Sequence, residues 1–246
     1  MIRAVYFDLW GTLIYDDPDI GEQRRLLRVQ RAHDALAKLG LACDRADVEA
    51  GFIVAGMELQ KIHAGEVDIS ARGRTVLFLR HVDEELPDRL DDDGWRLLDD
   101  AVLSPALEYR PVIMPGAADA LAGIKQRGLA TGLISNAGAT PGFVLREILE
   151  GFGLLRHLDA TVFSDEVELS KPSQAIFEGA LDEFGLTAGE AAFVGDEPVL
   201  DVFGSRRAGL WTVQIGDKPL DGARPHARID ALDQLHDALR GLRLID

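Results

Sequence analysis

The sequence predicts an α/β protein: a Rossmann-like parallel sheet flanked by helices, with a helical module inserted after the first strand. Two observations carry this expectation. In the second half of the chain, runs rich in Val, Ile, Phe or Leu alternate with helix-patterned segments, the mark of a parallel sheet with crossover helices. Between the first such run and the others, helix follows helix. At 246 residues, 47% of them hydrophobic, the chain has the material for a core domain and an insertion.

The elements follow in order. "AVYF" is a buried strand that stops at Asp8. From Asp16 to Tyr109 the pattern is helical, beginning with Leu26, Val29, His33 and Leu36 at three- and four-residue steps that end at Gly40. Asp44 is the expected N-cap of a second helix, which places Val48, Phe52, Ala55, Leu59 and Ile62 on one face. Ser70 caps a third through "TVLFLRHV", and "GWRLLDDAVL" reads as a fourth. Near "YRPVIMPG" the chain returns to the sheet: Pro115-Gly116 start a helix over Ala117 to Arg127, Gly128 ends it, and "ATGLIS" follows as a strand. "ATVFS", "AAFVG" and "WTVQIG" complete five strands. The expected division is a core of residues 1–15 and 110–246 and a helical domain of residues 16–109.

Composition narrows the function classes. A formal charge of −16 disfavours long-range attraction to nucleic-acid phosphates or anionic membranes, so the expected partner is a small molecule. No stretch approaches the roughly 20 apolar residues of a membrane span and the N-terminus has no long apolar run, which points to a cytoplasmic protein. The single Cys43 has no second Cys for an intrachain disulfide and is read as structural. Acidic stretches such as "DRLDDDG" read as solvated loops, and the sequence carries no signal for oligomeric state.

The strand ends carry the chemistry. "YFD" ends at Asp8, "LISN" at Ser135 and Asn136, and "FVGD" at Asp196 with Asp201 five further on, while Lys171 follows "TVFS" closely. In an open parallel sheet all strand C-termini share one edge, so these residues converge however far apart they are in sequence. Each alone is ordinary turn chemistry. Together they make three carboxylates that repel one another, for which a hard divalent cation such as Mg²⁺ is the usual remedy.

"FDLWGTL", "LISNAG", "LSKPSQAIF" and "FVGDEPVLDVFGSRRAG" resemble the four motifs of the haloacid dehalogenase superfamily, whose members are mostly Mg²⁺-dependent phosphohydrolases. The resemblance implies that the helical segment is the family's cap. It implies Asp8 as nucleophile, Thr12 and Ser135 as holders of the transferring group, and Lys171 as the neutralising cation. Asp196 and Asp201 would bind Mg²⁺ with Asp8, joined by the backbone carbonyl of Trp10; Asn136 and Gly11 would act through backbone geometry in the phosphate-binding region.

Trp10 departs from the pattern, because the phosphatases carry there a second Asp that protonates the leaving group. An indole N–H is a donor that does not titrate usefully. Two explanations stay open: a substrate with a good leaving group, such as an acyl phosphate, or a substitute acid among Asp16, Asp17 and Glu197. An aromatic here also resembles the metal-free 2-haloacid dehalogenases of the superfamily, but Asp196, Pro198 and Phe177 contradict their pattern. A non-catalytic phosphate- or partner-binding protein is the third reading. Arg24, Arg25 or Arg28 in the cap could stand for the arginine that binds substrate in those dehalogenases, but all three are read first as a solvated helix face, and the six histidines form no ligand-like cluster, though His63 could face substrate.

Overall fold

The computed structural model describes residues 1–219, 222 and 224–245. The chain enters through β1 (Ala4–Phe7) and a two-residue β2 (Ile14–Tyr15), then forms α1 (Pro18–Lys38), α2 (Arg45–Ala64), α3 (Ala71–Val82) and α4 (Asp92–Leu103). It returns through β3 (Val112–Ile113) and continues as α5 (Ala117–Gln126), β4 (Ala130–Ser135), α6 (Gly142–Gly151), β5 (Ala160–Phe163), α7 (Ser164–Val167) and α8 (Gln174–Asp182). The last stretch holds β6 (Ala191–Gly195), α9 (Gly204–Arg207), β7 (Trp211–Ile215), β8 (Ala227–Ile229) and α10 (Leu235–Gly241).

Six strands form a parallel sheet in the order β5-β4-β1-β6-β7-β8. Residues of β1 alternate between its two faces: Val5 and Phe7 join one hydrophobic cluster, Ala4 and Tyr6 the other. Both faces are therefore covered by helices, which explains why the core strands read as continuous apolar runs. The five expected strands are present. The sixth, β8, is three residues long with Arg228 exposed, too short and too polar to give a periodic signal.

The four helices from α1 to α4 bury a cluster of their own, built on Val29, Leu36, Val48, Phe78, Leu79 and Leu98. Side chains start three of them: Asp17 accepts from the Asp19 amide, Ser70 from Gly73 and Asp91 from Gly94, each satisfying a donor that a helix end leaves free. Asp44 stands at the N-cap position of α2, but its side chain makes no capping bond. Of the face expected of α1, Val29 and Leu36 are buried, but Leu26 is 42% exposed, and Arg24 and Arg28 are buried as well. Their polar ends find partners inside, as described below, so the apolar stems are carried inward, which the period of Leu and Val does not show.

Two clamps join this helical unit to the sheet. β2 pairs antiparallel with β3, tying outgoing and returning segments side by side. Arg24 then grips both segments: its guanidinium meets both carboxylate oxygens of Asp16 at 2.9 Å and donates to the Tyr109 carbonyl at 2.7 and 2.9 Å. No helix among the described residues is long and apolar enough to cross a membrane.

Candidate active site

β4, β1 and β6 lie side by side, and Phe7 is in register with Leu133 on one neighbour and Val194 on the other. The residues just beyond, Ser135, Asp8 and Asp196, thus stand on one edge. The chain fills the sheet leftward from β1 through β4 and β5, then rightward through β6, β7 and β8, so the strand order reverses beside β1. Open α/β sheets bind ligands at such a reversal.

Asp8 is buried, and its Oδ1 accepts from Nζ of Lys171 at 2.6 Å. The same ammonium, only 1% exposed, donates to Oδ1 of Asp201 at 2.7 Å. Burial pushes the Asp8 carboxyl up to about 7, with Lys171 pulling the other way. Burial works against the charge on Lys171, but Asp201 and Asp8 outweigh it and hold the ammonium above the ordinary lysine value. The lysine loop is fixed by Asn136, whose side chain donates to the Lys171 carbonyl at 3.0 Å and accepts from its amide at 2.8 Å. The Asn136 amide is thus committed to holding Lys171 in place.

Asp201 lies in one π-helical turn, Pro198–Phe203, where its Oδ2 accepts from the Glu197 amide at 2.9 Å. Such turns are common at functional sites. Asp8, Asp196 and Asp201 each offer an oxygen within 4.8 Å of the others. A cation fits this set on two counts. Oδ1 of Asp196 is buried without a hydrogen-bond partner, and the chain keeps the approach clear with Gly11, at φ +81°, where a Cβ would stand 2.6 Å from that oxygen. Burial raises the Asp196 carboxyl, although Lys218 donates to its Oδ2 at 2.8 Å.

The hydroxyls are free to bind. Thr12 is fully buried with no partner for Oγ1, and Ser135 makes only a long 3.4 Å contact to the next carbonyl. Both are buried donors awaiting an acceptor. Trp10 is half-buried, and its ring lines a cavity of about 370 Å³ together with Asp16, Arg24, Arg28, Asn136 and Thr140.

Three carboxylates weighed as substitute acids have other work. Asp16 is held by Arg24 through both oxygens, Asp17 caps α1, and Glu197 pairs with Lys218 at 2.5 Å. The reading of Arg24, Arg25 and Arg28 as one solvated face is corrected for two of them. Arg25 does lie outside, paired with Glu22 and Glu49, whereas Arg24 and Arg28 are 5% and 8% exposed. Arg28 donates to the carbonyls of Val102 at 2.8 Å and Ala139 at 3.3 Å. Deep in the insertion's contact with the sheet, Asp68 accepts from Arg74, Ser164 and its neighbour Ile69, and His63 lies 3.0 Å from it. Ser164 and Arg74 in turn bond the amide and carbonyl of Ala137, next to Asn136. Lys218 and the partners of Asp68 were not anticipated, because they are polar residues outside the strand-end pattern; Arg28 and His63 were named from the sequence, but not their buried contacts.

A family model described as haloacid dehalogenase-like hydrolase matches residues 2–209. A phosphoserine phosphatase of Thermus thermophilus is 39% identical over 126 residues, which cover 50% of this chain and 49% of the relative. The chain therefore spans about half the length of that relative. A phosphoglycolate phosphatase of Rhodospirillum rubrum is 29% identical over 85% of this chain and 78% of its own. Among solved structures, a 2-haloacid dehalogenase from Pseudomonas syringae pv. Tomato superimposes with a TM-score of 0.69 over 98% of this chain and 100% of its own at 23% identity, a likeness of fold.

Proposed function

This chain belongs to the haloacid dehalogenase-like hydrolases, and from that premise we propose that it is a Mg²⁺-dependent phosphohydrolase acting on a small phosphorylated metabolite. The observation that carries the reading is Asp196, a third carboxylate beside Asp8 and Asp201 with a buried oxygen left unpartnered. A metal-free dehalogenase has no use for it. Phosphatases among the relatives support the same class.

Asp8, Asp196 and Asp201, with the Trp10 carbonyl, would hold Mg²⁺, which supplies charge compensation to the phosphoryl oxygens. Thr12 and Ser135 donate to the transferring group, and Lys171 offsets charge on it and on Asp8. The carboxylate of Asp8 attacks phosphorus, the bond to the leaving oxygen breaks, and an aspartyl-phosphate forms. Water then attacks that phosphorus, releasing inorganic phosphate and restoring Asp8. Trp10 gives no proton to the leaving oxygen, so the reading extends to good leaving groups such as acyl phosphates. Residues 16–109 act as a cap over the site, which their double fastening at Asp16 and Tyr109 supports.

The test is phosphate release from acyl, aryl and sugar phosphates with Mg²⁺ and with chelator, using Asp8→Asn as blank. Mg²⁺-dependent release that favours good leaving groups is the expected result. Metal-independent halide release from 2-haloacids would instead select the dehalogenase chemistry that an aromatic residue 10 also suits. Failure to trap any covalent adduct on Asp8 with either substrate class would select a binding protein.

A further inference from the structure

The two oxygens of the Asp196 carboxylate have different surroundings. Oδ1 is buried with no hydrogen-bond partner, while Oδ2 accepts from Nζ of Lys218 at 2.8 Å. The same ammonium donates to Oε1 of Glu197 at 2.5 Å, so it is tied between two adjacent side chains. Its backbone is tied as well. Lys218 stands just past the end of β7, and Gln214 of that strand, itself buried, donates from its side chain to the Lys218 carbonyl at 2.7 Å. A surface lysine ordinarily swings on a flexible four-carbon stem. This one is held at both ends of that stem and aimed at the carboxylate cluster.

Lys218 differs from the other lysine at the cluster. Lys171 is fully buried and bonds Asp8 and Asp201, whereas the Lys218 side chain is 53% exposed and bonds the outer oxygen of Asp196. When ionised, Asp8, Asp196, Glu197 and Asp201 bring four negative charges, and Lys171 and Lys218 return two, leaving the two that a divalent cation cancels. Charge alone does not choose between divalent cations; the number of oxygens that each carboxylate presents does. Mg²⁺ demands a near-octahedral set of ligands, whereas Ca²⁺ accepts more oxygens and chelates both oxygens of a single carboxylate.

We propose that Lys218 is a positioning residue that makes Asp196 a one-oxygen ligand, and so biases the cluster toward Mg²⁺ and against Ca²⁺. This rests on the metal-dependent reading above and adds which cation the site disfavours and the residue responsible. With Oδ2 on the ammonium, Asp196 presents only Oδ1 to the cluster, which suits Mg²⁺. Chelation by both oxygens requires Lys218 to leave, and Glu197 and Gln214 hold it in place. Lys218 touches no reacting atom and acts through Asp196.

The test needs no substrate. The full chain, Lys218→Met and Lys218→Arg are each titrated by calorimetry with Mg²⁺ and separately with Ca²⁺, and the ratio of the two Kd values is compared. Binding that survives in Asp196→Asn belongs to other acidic surface and is subtracted. Removing one positive charge strengthens the attraction of both ions alike and cancels in the ratio, and a general loosening of the fold weakens both alike. Partners of metal ligands are typically worth about 10–100-fold in affinity, so Lys218→Met is expected to move the ratio toward Ca²⁺ by about tenfold or more. Lys218→Arg keeps a charged donor for Oδ2 and is expected to stay close to the parent ratio. An unchanged ratio in Lys218→Met overturns the proposal, as does a shift in Lys218→Arg equal to that in Lys218→Met. A parent that binds neither ion sinks the metal-dependent reading and this proposal with it, whereas a parent that binds both, with a ratio indifferent to residue 218, sinks this proposal alone.

Discussion

Nζ of Lys171 stands 2.6 Å from Oδ1 of Asp8, on a side chain that is also bonded to Asp201 at 2.7 Å. One cation thus serves two buried carboxylates, and removing it differs from removing either acid. Lys171→Met leaves both acids uncompensated, and breaking a buried pair this way costs about 3–5 kcal/mol. For a chain of this size that lowers Tm by roughly 6–20 °C, alongside a loss of roughly 10²–10³ in kcat. Asp8→Asn abolishes turnover while Lys171 keeps Asp201, so its Tm moves less. Calorimetry of both variants beside phosphate-release assays checks the ordering; a larger Tm loss in Asp8→Asn contradicts it.

Trp10→Asp restores a titratable group at a position whose side chain lines the cavity beside the strand edge. General acid help is worth about 10²–10⁴-fold, and it matters most where the leaving alkoxide is basic. The variant is therefore expected to raise kcat/KM on sugar phosphates by about that factor while changing acyl phosphate turnover little. An equal change on both substrate classes means that residue 10 does not limit protonation.

Gly11 couples backbone to the carboxylate cluster. Its φ of +81° costs an alanine about 1–2 kcal/mol, and the added Cβ would stand 2.6 Å from Oδ1 of Asp196. Gly11→Ala should lower Tm and also erase the Mg²⁺ response. On the proposed Mg²⁺ site, the expected stabilisation of the parent at about 100 times the Kd is roughly 2.7 kcal/mol. Thermal scans with Mg²⁺ and with chelator separate the two effects, since strain alone would leave the Mg²⁺ increment intact.

How much of this was readable in the sequence depends on the range of the interaction. Strands β1, β4, β5, β6 and β7 announced themselves because residues buried on both faces are mostly apolar, and the polar residues that close or follow β1, β4, β5 and β6 are conspicuous. β8 and the β2–β3 ribbon did not, because three or two residues hold no period. Arg24 and Arg28 were misread because a helical arginine looks the same whether its head reaches water or a carbonyl on another element. Asp68 gave no signal for the same reason: its partner Ser164 is 96 residues away in the chain.

Asp68 is also where the helical unit is wired to the loop that follows β4. It has no exposed side-chain surface, bonds Arg74 with both oxygens, and accepts from Ser164, which itself accepts from the Ala137 amide. Burial would raise its carboxyl, but His63, Arg74 and Ser164 overcome that and hold it below the ordinary 3.8. A depressed carboxyl stabilises the fold above its unfolded pKa, and that stabilisation is lost as pH falls through the folded value. Asp68→Asn leaves Arg74 with only the more distant carboxylate of Asp165, 3.8 Å away, at a cost of up to about 3–5 kcal/mol. The gap in unfolding free energy between parent and variant should accordingly be full at pH 7 and narrow once the pH drops below 3.8. Urea titrations from pH 7 to pH 3 measure it. A gap that stays constant over that range would mean the Asn was tolerated or rejected for its shape, with the charge on Asp68 contributing nothing.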